Sequence, residues 1–147
     1  MQNSVGNKAI SRPDKLVSHS QKSNMRKRTS TNYQNEQRLI SDCPILSTFY
    51  FLGGRWKVAI LWNLAKGPVR FSEFQTALMG VSEKMLAQQL KELERDGFVC
   101  KTIFAEVPLR TEYNLTELGQ SLMPVLQQIH SWGSNHDMPQ RFRAVEN

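Results

Sequence analysis

No stretch of this 147-residue chain approaches the ~18 consecutive apolar residues that a bilayer-spanning helix needs. The N-terminus is basic but lacks an apolar central run, so nothing there reads as a secretory signal. Cysteine is scarce: Cys43 and Cys100 stand far apart and form no CxxC. That excludes a disulfide framework and makes a reduced, cytoplasmic setting the expectation. Histidine is also too sparse for a metal site. His130 and His136 are six apart and share no helical face, and His19 stands alone, so no metal ligand is named. There is no Gly-rich phosphate loop, no nucleophile elbow and no paired-carboxylate motif in context. Enzyme chemistry is therefore not expected, no catalytic residue is named, and no cofactor is expected.

What the chain does have is positive charge. The net charge is +6 and the isoelectric point is near 9.6, which favours a polyanionic partner. The excess is unevenly placed. Residues 1–42 hold eight Lys or Arg against Asp14, Glu36 and Asp42, whereas the rest of the chain is nearly balanced. Residues 1–38 are rich in Ser, Asn, Gln, Lys and Arg with little apolar periodicity, so they read as a disordered basic tail. Arg26, Lys27 and Arg28 could add non-specific phosphate contacts there, or the tail could be passive. Met25 is a second candidate start. A folded domain is expected over 39–136 and a flexible C-terminal tail over 137–147.

Within the domain, Pro44 suits a first helical position and makes Cys43 the expected N-cap of a short apolar helix over 45–52, ended by Gly53-Gly54. A second helix is expected from about Trp56 to Ala65, with Trp56, Ile60 and Leu64 as its buried face and Gly67-Pro68 as its stop. Val69-Arg70-Phe71 reads as a very short strand. Ser72 is the expected cap of a third helix to about Leu78, and Ser82 of a fourth to about Asp96. Leu86, Leu90 and Leu93 mark the fourth helix's buried face. Val99–Phe104 and Thr111–Leu115 read as strands around Pro108. Thr116 caps a last helix to about Trp132, whose stripe is Leu118, Leu122, Val125, Leu126, Ile129 and Trp132, with Pro124 inside it.

This order is α+β, mostly α, and is that of a winged helix-turn-helix: two helices about a turn, then a two-stranded wing, with terminal helices for dimerisation. In the fourth helix Lys84, Gln88, Lys91 and Arg95 step by 4, 3 and 4 and so share the face opposite the leucines. A recognition helix enters the major groove with its N-terminal half, so Ser82, Lys84 and Gln88 are candidates for base edges. Lys91 and Arg95 lie further back, toward phosphates. Lys101 on the first wing strand and Arg110 past its tip are the candidate backbone grips. A polar helix face alone is more often merely solvated, so the weight rests on the order of elements around it.

Those elements carry a family likeness. CPI at 43–45, LGGRWKVAIL at 52–61, GPVRFSEF at 67–74, VSEKMLAQQLKELERDGFV at 81–99 and EVPLRTEYNLTELGQSL at 106–122 resemble the HxlR-type winged helix-turn-helix transcriptional regulators, a MarR-like group. The resemblance covers Cys43 to about His136. It implies a cytoplasmic homodimer that binds operator DNA and controls nearby genes; repression follows if the dimer occludes polymerase. Gln89 stands where many members carry Arg, and Ala87 where a hydroxyl residue is common, so an operator sequence does not transfer. Cys43 matches a position that senses oxidants in some members. A helix N-terminus also favours thiolate, the reactive form, although a small apolar cap is the plainer reading. The helices over 45–52 and 116–132 are apolar enough to pair across a two-fold axis. The rival reading is a winged-helix protein-interaction module with only non-specific DNA affinity.

Overall fold

The computed structural model describes residues 30–146, in two units divided between Leu39 and Ile40. The element order is α1 (Thr31–Asp42), α2 (Pro44–Leu52), α3 (Lys57–Leu64), β1 (Val69–Arg70), α4 (Phe71–Ala77), α5 (Glu83–Arg95), β2 (Val99–Phe104), β3 (Arg110–Leu115), α6 (Glu117–Asn135) and α7 (Met138–Glu146). The described part of the first unit is helical. The Ser30 hydroxyl accepts the Tyr33 N–H at 3.2 Å, capping α1 from a segment expected to lack order. Residues 1–29, which include His19, Met25 and the Arg26-Lys27-Arg28 cluster, lie outside the described residues.

The second unit builds one core. Ile60, Leu61 and Leu64 of α3, Phe74 of α4 and Leu86, Leu90 and Leu93 of α5 converge on Phe98, Val99 and Tyr113, with Leu122, Met123 and Leu126 of α6 closing it. The strands form an antiparallel sheet in the order β1-β3-β2. Val69 pairs with Tyr113, and β2 runs against β3 from Val99 opposite Leu115 to Phe104 opposite Arg110. The fold is therefore mostly helical with a winged sheet, as the order of elements implies.

A single junction sets the wing against α5. Gly97 takes φ +82°, a left-handed conformation that costs side-chain-bearing residues energy. The Phe98 N–H then returns to the Leu93 carbonyl at 3.0 Å and the Gly97 N–H to that of Glu94 at 3.1 Å, the Schellman closure of α5. The Thr116 hydroxyl donates to the Gly97 carbonyl and accepts the Gly119 N–H at 3.1 Å, so one residue caps α6 and ties it to the end of α5. Gly119 packs so closely that an added Cβ would stand 2.2 Å from the Phe98 carbonyl oxygen.

Three local expectations are corrected. The helix expected after a Ser72 cap, α4, starts instead at Phe71, because the Glu73 carboxylate reaches back to accept the Arg70 N–H at 2.6 Å. Residues 31–38 are helical rather than disordered. The expected flexible tail over 137–147 instead carries α7, set off from α6 by Asp137 at φ +51°. The apolar stripe of α6 divides: Leu122 and Leu126 are buried, whereas Leu118, Val125, Ile129 and Trp132 are each about half exposed.

Candidate nucleic-acid interface

The helix-turn-helix consists of α4, a turn through Gly80 and α5. Ser82 caps α5, its hydroxyl accepting the Met85 N–H at 3.2 Å. Leu86, Leu90 and Leu93 are fully buried, which turns Lys84, Gln88, Lys91 and Arg95 outward together. Lys84 and Lys91 make no ion pair among the described residues and are exposed. On the wing, Lys101 is exposed on β2 opposite Tyr113.

The two candidate arginines, Arg95 and Arg110, are paired with carboxylates of this chain. Arg95 places Nε and Nη2 at 2.9 and 2.7 Å from one Asp96 carboxylate oxygen. Arg110 is more fully engaged. It forks onto Glu106 at 3.0 and 2.8 Å, donates to Glu112 and stacks its guanidinium 3.8 Å over the Phe104 ring. Glu112 also meets Arg70 at 3.4 Å. The hydrogen bonds that Glu106 and Glu112 accept push the Arg110 pKa up, and the Arg110 donor holds the Glu106 carboxyl below the usual carboxylate range. Arg110, expected as a phosphate grip, is thus a clamp that braces the two wing strands.

Sequence reasoning missed what lies beneath α5. Lys57, the only charged residue of α3, is buried, with Nζ 3.0 Å from Glu92, 3.6 Å from Asp96 and 3.3 Å from the Phe51 carbonyl. The other Glu92 oxygen accepts the Gln88 side-chain N–H at 3.1 Å. A lysine inside the run KVAIL was the available signal, but its partners lie 35 and 39 positions along the chain. Gln89 is buried too, its Oε1 close over Gly54.

Comparison with known proteins agrees with this architecture. The model of the HxlR-like helix-turn-helix family matches residues 51–141. The chain belongs to this family. It is 38% identical over 103 residues to the HTH-type transcriptional regulator YybR of Bacillus subtilis, spanning 69% of this chain and 82% of that one. Among solved structures, it is similar to the redox regulator HypR in its reduced form (TM-score 0.63, 37% identity, 67% of this chain and 98% of that chain). It is likewise similar to the reduced form of YodB from B. subtilis (TM-score 0.57, 40% identity, 62% and 90%). This HxlR-like protein is accordingly a DNA-binding transcriptional regulator of helix-turn-helix type. No helix among its described residues is long and apolar enough to cross a membrane, and no group of His, Cys, Asp and Glu there could hold a metal ion. Cys43 stands at the N-cap of α2, half-buried, and Cys100 is exposed on β2; both thiols are free.

Proposed function

We infer that this regulator acts in the cytoplasm as a homodimer on double-stranded DNA. Each subunit would set α5 into a major groove, with half-sites about one turn, roughly 34 Å, apart. Gln88 and Lys84 read base edges beside the Ser82 cap, Lys91 and Arg95 meet phosphates, and Lys101 grips the backbone from the wing. The observation that carries this reading is the division of α5: fully buried leucines on one side, an exposed Lys84–Gln88–Lys91–Arg95 face on the other. Repression follows where the bound dimer covers a promoter.

The test is a gel shift on the gene's own upstream region, with and without residues 1–29. A specific band that survives removal of the tail supports operator binding by the domain. Binding that disappears with the tail supports a protein-interaction module with only charge-driven DNA affinity. Gln88→Ala should change base preference by about 1–3 kcal/mol. Lys101→Ala should weaken all sequences alike and reduce the salt slope by about one.

Redox control through Cys43 is the finer proposal. It is supported by the position of this thiol at the N-terminus of α2 and by two similar solved proteins: HypR, a redox regulator known in oxidised and reduced forms, and YodB, known reduced and after diamide treatment. Mass spectrometry and DNA binding after diamide decide it. Unmodified Cys43 together with unchanged affinity would remove sensing from the account.

A further inference from the structure

We propose that Lys57 is a positioning residue for DNA recognition, acting on Gln88 through Glu92. The inference rests on the reading of Gln88 as a base-contacting residue. Its physical basis is a continuous chain of three side chains from α3 to the outer face of α5. Lys57 Nζ holds one Glu92 oxygen at 3.0 Å, and the other Glu92 oxygen accepts the Gln88 amide at 3.1 Å.

An ionised carboxylate only accepts hydrogen bonds, so Glu92 admits the NH2 end of the Gln88 amide and rejects its oxygen. That settles which way the amide faces. With one N–H held by Glu92, Gln88 keeps its Oε1 and its second N–H, the acceptor and donor that adenine takes in the major groove. Glu92 can do this only while it stays charged and in place, and it is almost fully buried. A buried carboxylate needs a paired cation. Lys57 supplies the charge and is itself anchored by the Phe51 carbonyl at 3.3 Å and by Asp96 at 3.6 Å. Remove the cation and nothing holds the second Glu92 oxygen, so the carboxylate turns and the Gln88 amide loses its fixed direction.

A merely structural ion pair makes a different prediction. Its loss lowers stability, and with it binding to every sequence alike. A positioning role lowers discrimination at the one base pair that Gln88 reads. The test is therefore the base-preference profile of the full-length protein, obtained by selection from a random-sequence duplex library. Gln88→Ala is the reference and should flatten preference at one base pair per half-site about ten-fold or more. Lys57→Met with Glu92→Gln removes both charges at nearly constant volume, and Asp96, which Lys57 also faces, keeps Arg95 at 2.7 Å. This double variant should flatten the same base pair, leave the other positions unchanged, and add nothing further when combined with Gln88→Ala. If it fails to fold, Glu92→Gln alone is judged by the same profile, since a neutral amide admits either face of Gln88.

A wild-type profile in the folded variant, beside a flattened one in Gln88→Ala, overturns the positioning role. So does a uniform loss of affinity across all sequences. If Gln88→Ala itself leaves the profile unchanged, the fault lies with Gln88 as a reader, and the role of Lys57 falls with it.

Discussion

Leu90 is fully buried at the centre of α5, between Leu86 and Leu93. Truncation to Ala should cost about 2–5 kcal/mol in denaturant unfolding, because a cavity at the crossing of helix and core cannot fully collapse. Gly119 behaves differently. Alanine normally favours a helix by about 1 kcal/mol over glycine. Here the new Cβ would stand 2.2 Å from the Phe98 carbonyl, so helix and strand must part. Gly119→Ala should therefore destabilise, by about 1–3 kcal/mol net of the propensity gain, and a raised melting temperature would contradict the close approach. Tyr113 carries a pH signature: its pKa is raised first by burial and then by the charge of Glu94. The folded state thus holds this proton more tightly than the unfolded state, whose tyrosine loses it near pH 10. Its contribution to stability is complete below that pH and is lost as pH rises toward the folded value. Absorbance titration should show one tyrosine ionising late, and Tyr113→Phe should abolish that component.

At the scale of elements, the wing holds itself together by charge that sequence reading assigned to DNA. Arg110 bridges Glu106 and Glu112 across the hairpin and covers Phe104. Glu106 is exposed and held below its ordinary pKa chiefly by the Arg110 hydrogen bond. The clamp is present above the ordinary carboxylate pKa and is lost as pH falls through the lowered one. Carboxyl NMR should find Glu106 titrating below its usual range, returning toward it in Arg110→Ala. What the sequence could disclose follows from range. The Ser82 and Thr116 caps and the leucine face of α5 are signals within a few residues, and each stands where the pattern puts it. The Arg110 clamp was half-visible, since Glu106 and Glu112 flank it closely, but strand register decides that Phe104 stands opposite Arg110. The Lys57–Glu92 pair was invisible, because only the tertiary crossing of α3 and α5 brings residues 35 positions apart into contact. Glu73 displaced Ser72 at the start of α4 because two rival capping groups lay one residue apart.

For the whole molecule, the divided stripe of α6 has a consequence. Leu118, Val125, Ile129 and Trp132 recur at spacings of 7, 4 and 3, a heptad-like seam, and stay about half exposed after the core is complete. On α2, Ile45, Leu46, Phe49 and Tyr50 remain exposed as well. Two helices of such character are more apolar surface than a monomer in water usually leaves open, which supports their burial against a second copy. A dimer would also make DNA binding bivalent: once one α5 is seated, the second binds at high effective concentration. Ile129→Asp separates these roles. The position is exposed in the single chain, so the substitution should shift monomer stability by no more than about 0.5 kcal/mol. It would place a carboxylate in an apolar seam, where it finds no partner. Light scattering at micromolar concentration should give twice 16.9 kDa for the wild type and 16.9 kDa for the variant. Specific DNA affinity should fall about 100-fold or more with α5 untouched. A wild-type protein that scatters as a monomer, or a variant that keeps both its dimer mass and its affinity, would move the interface away from this face of α6.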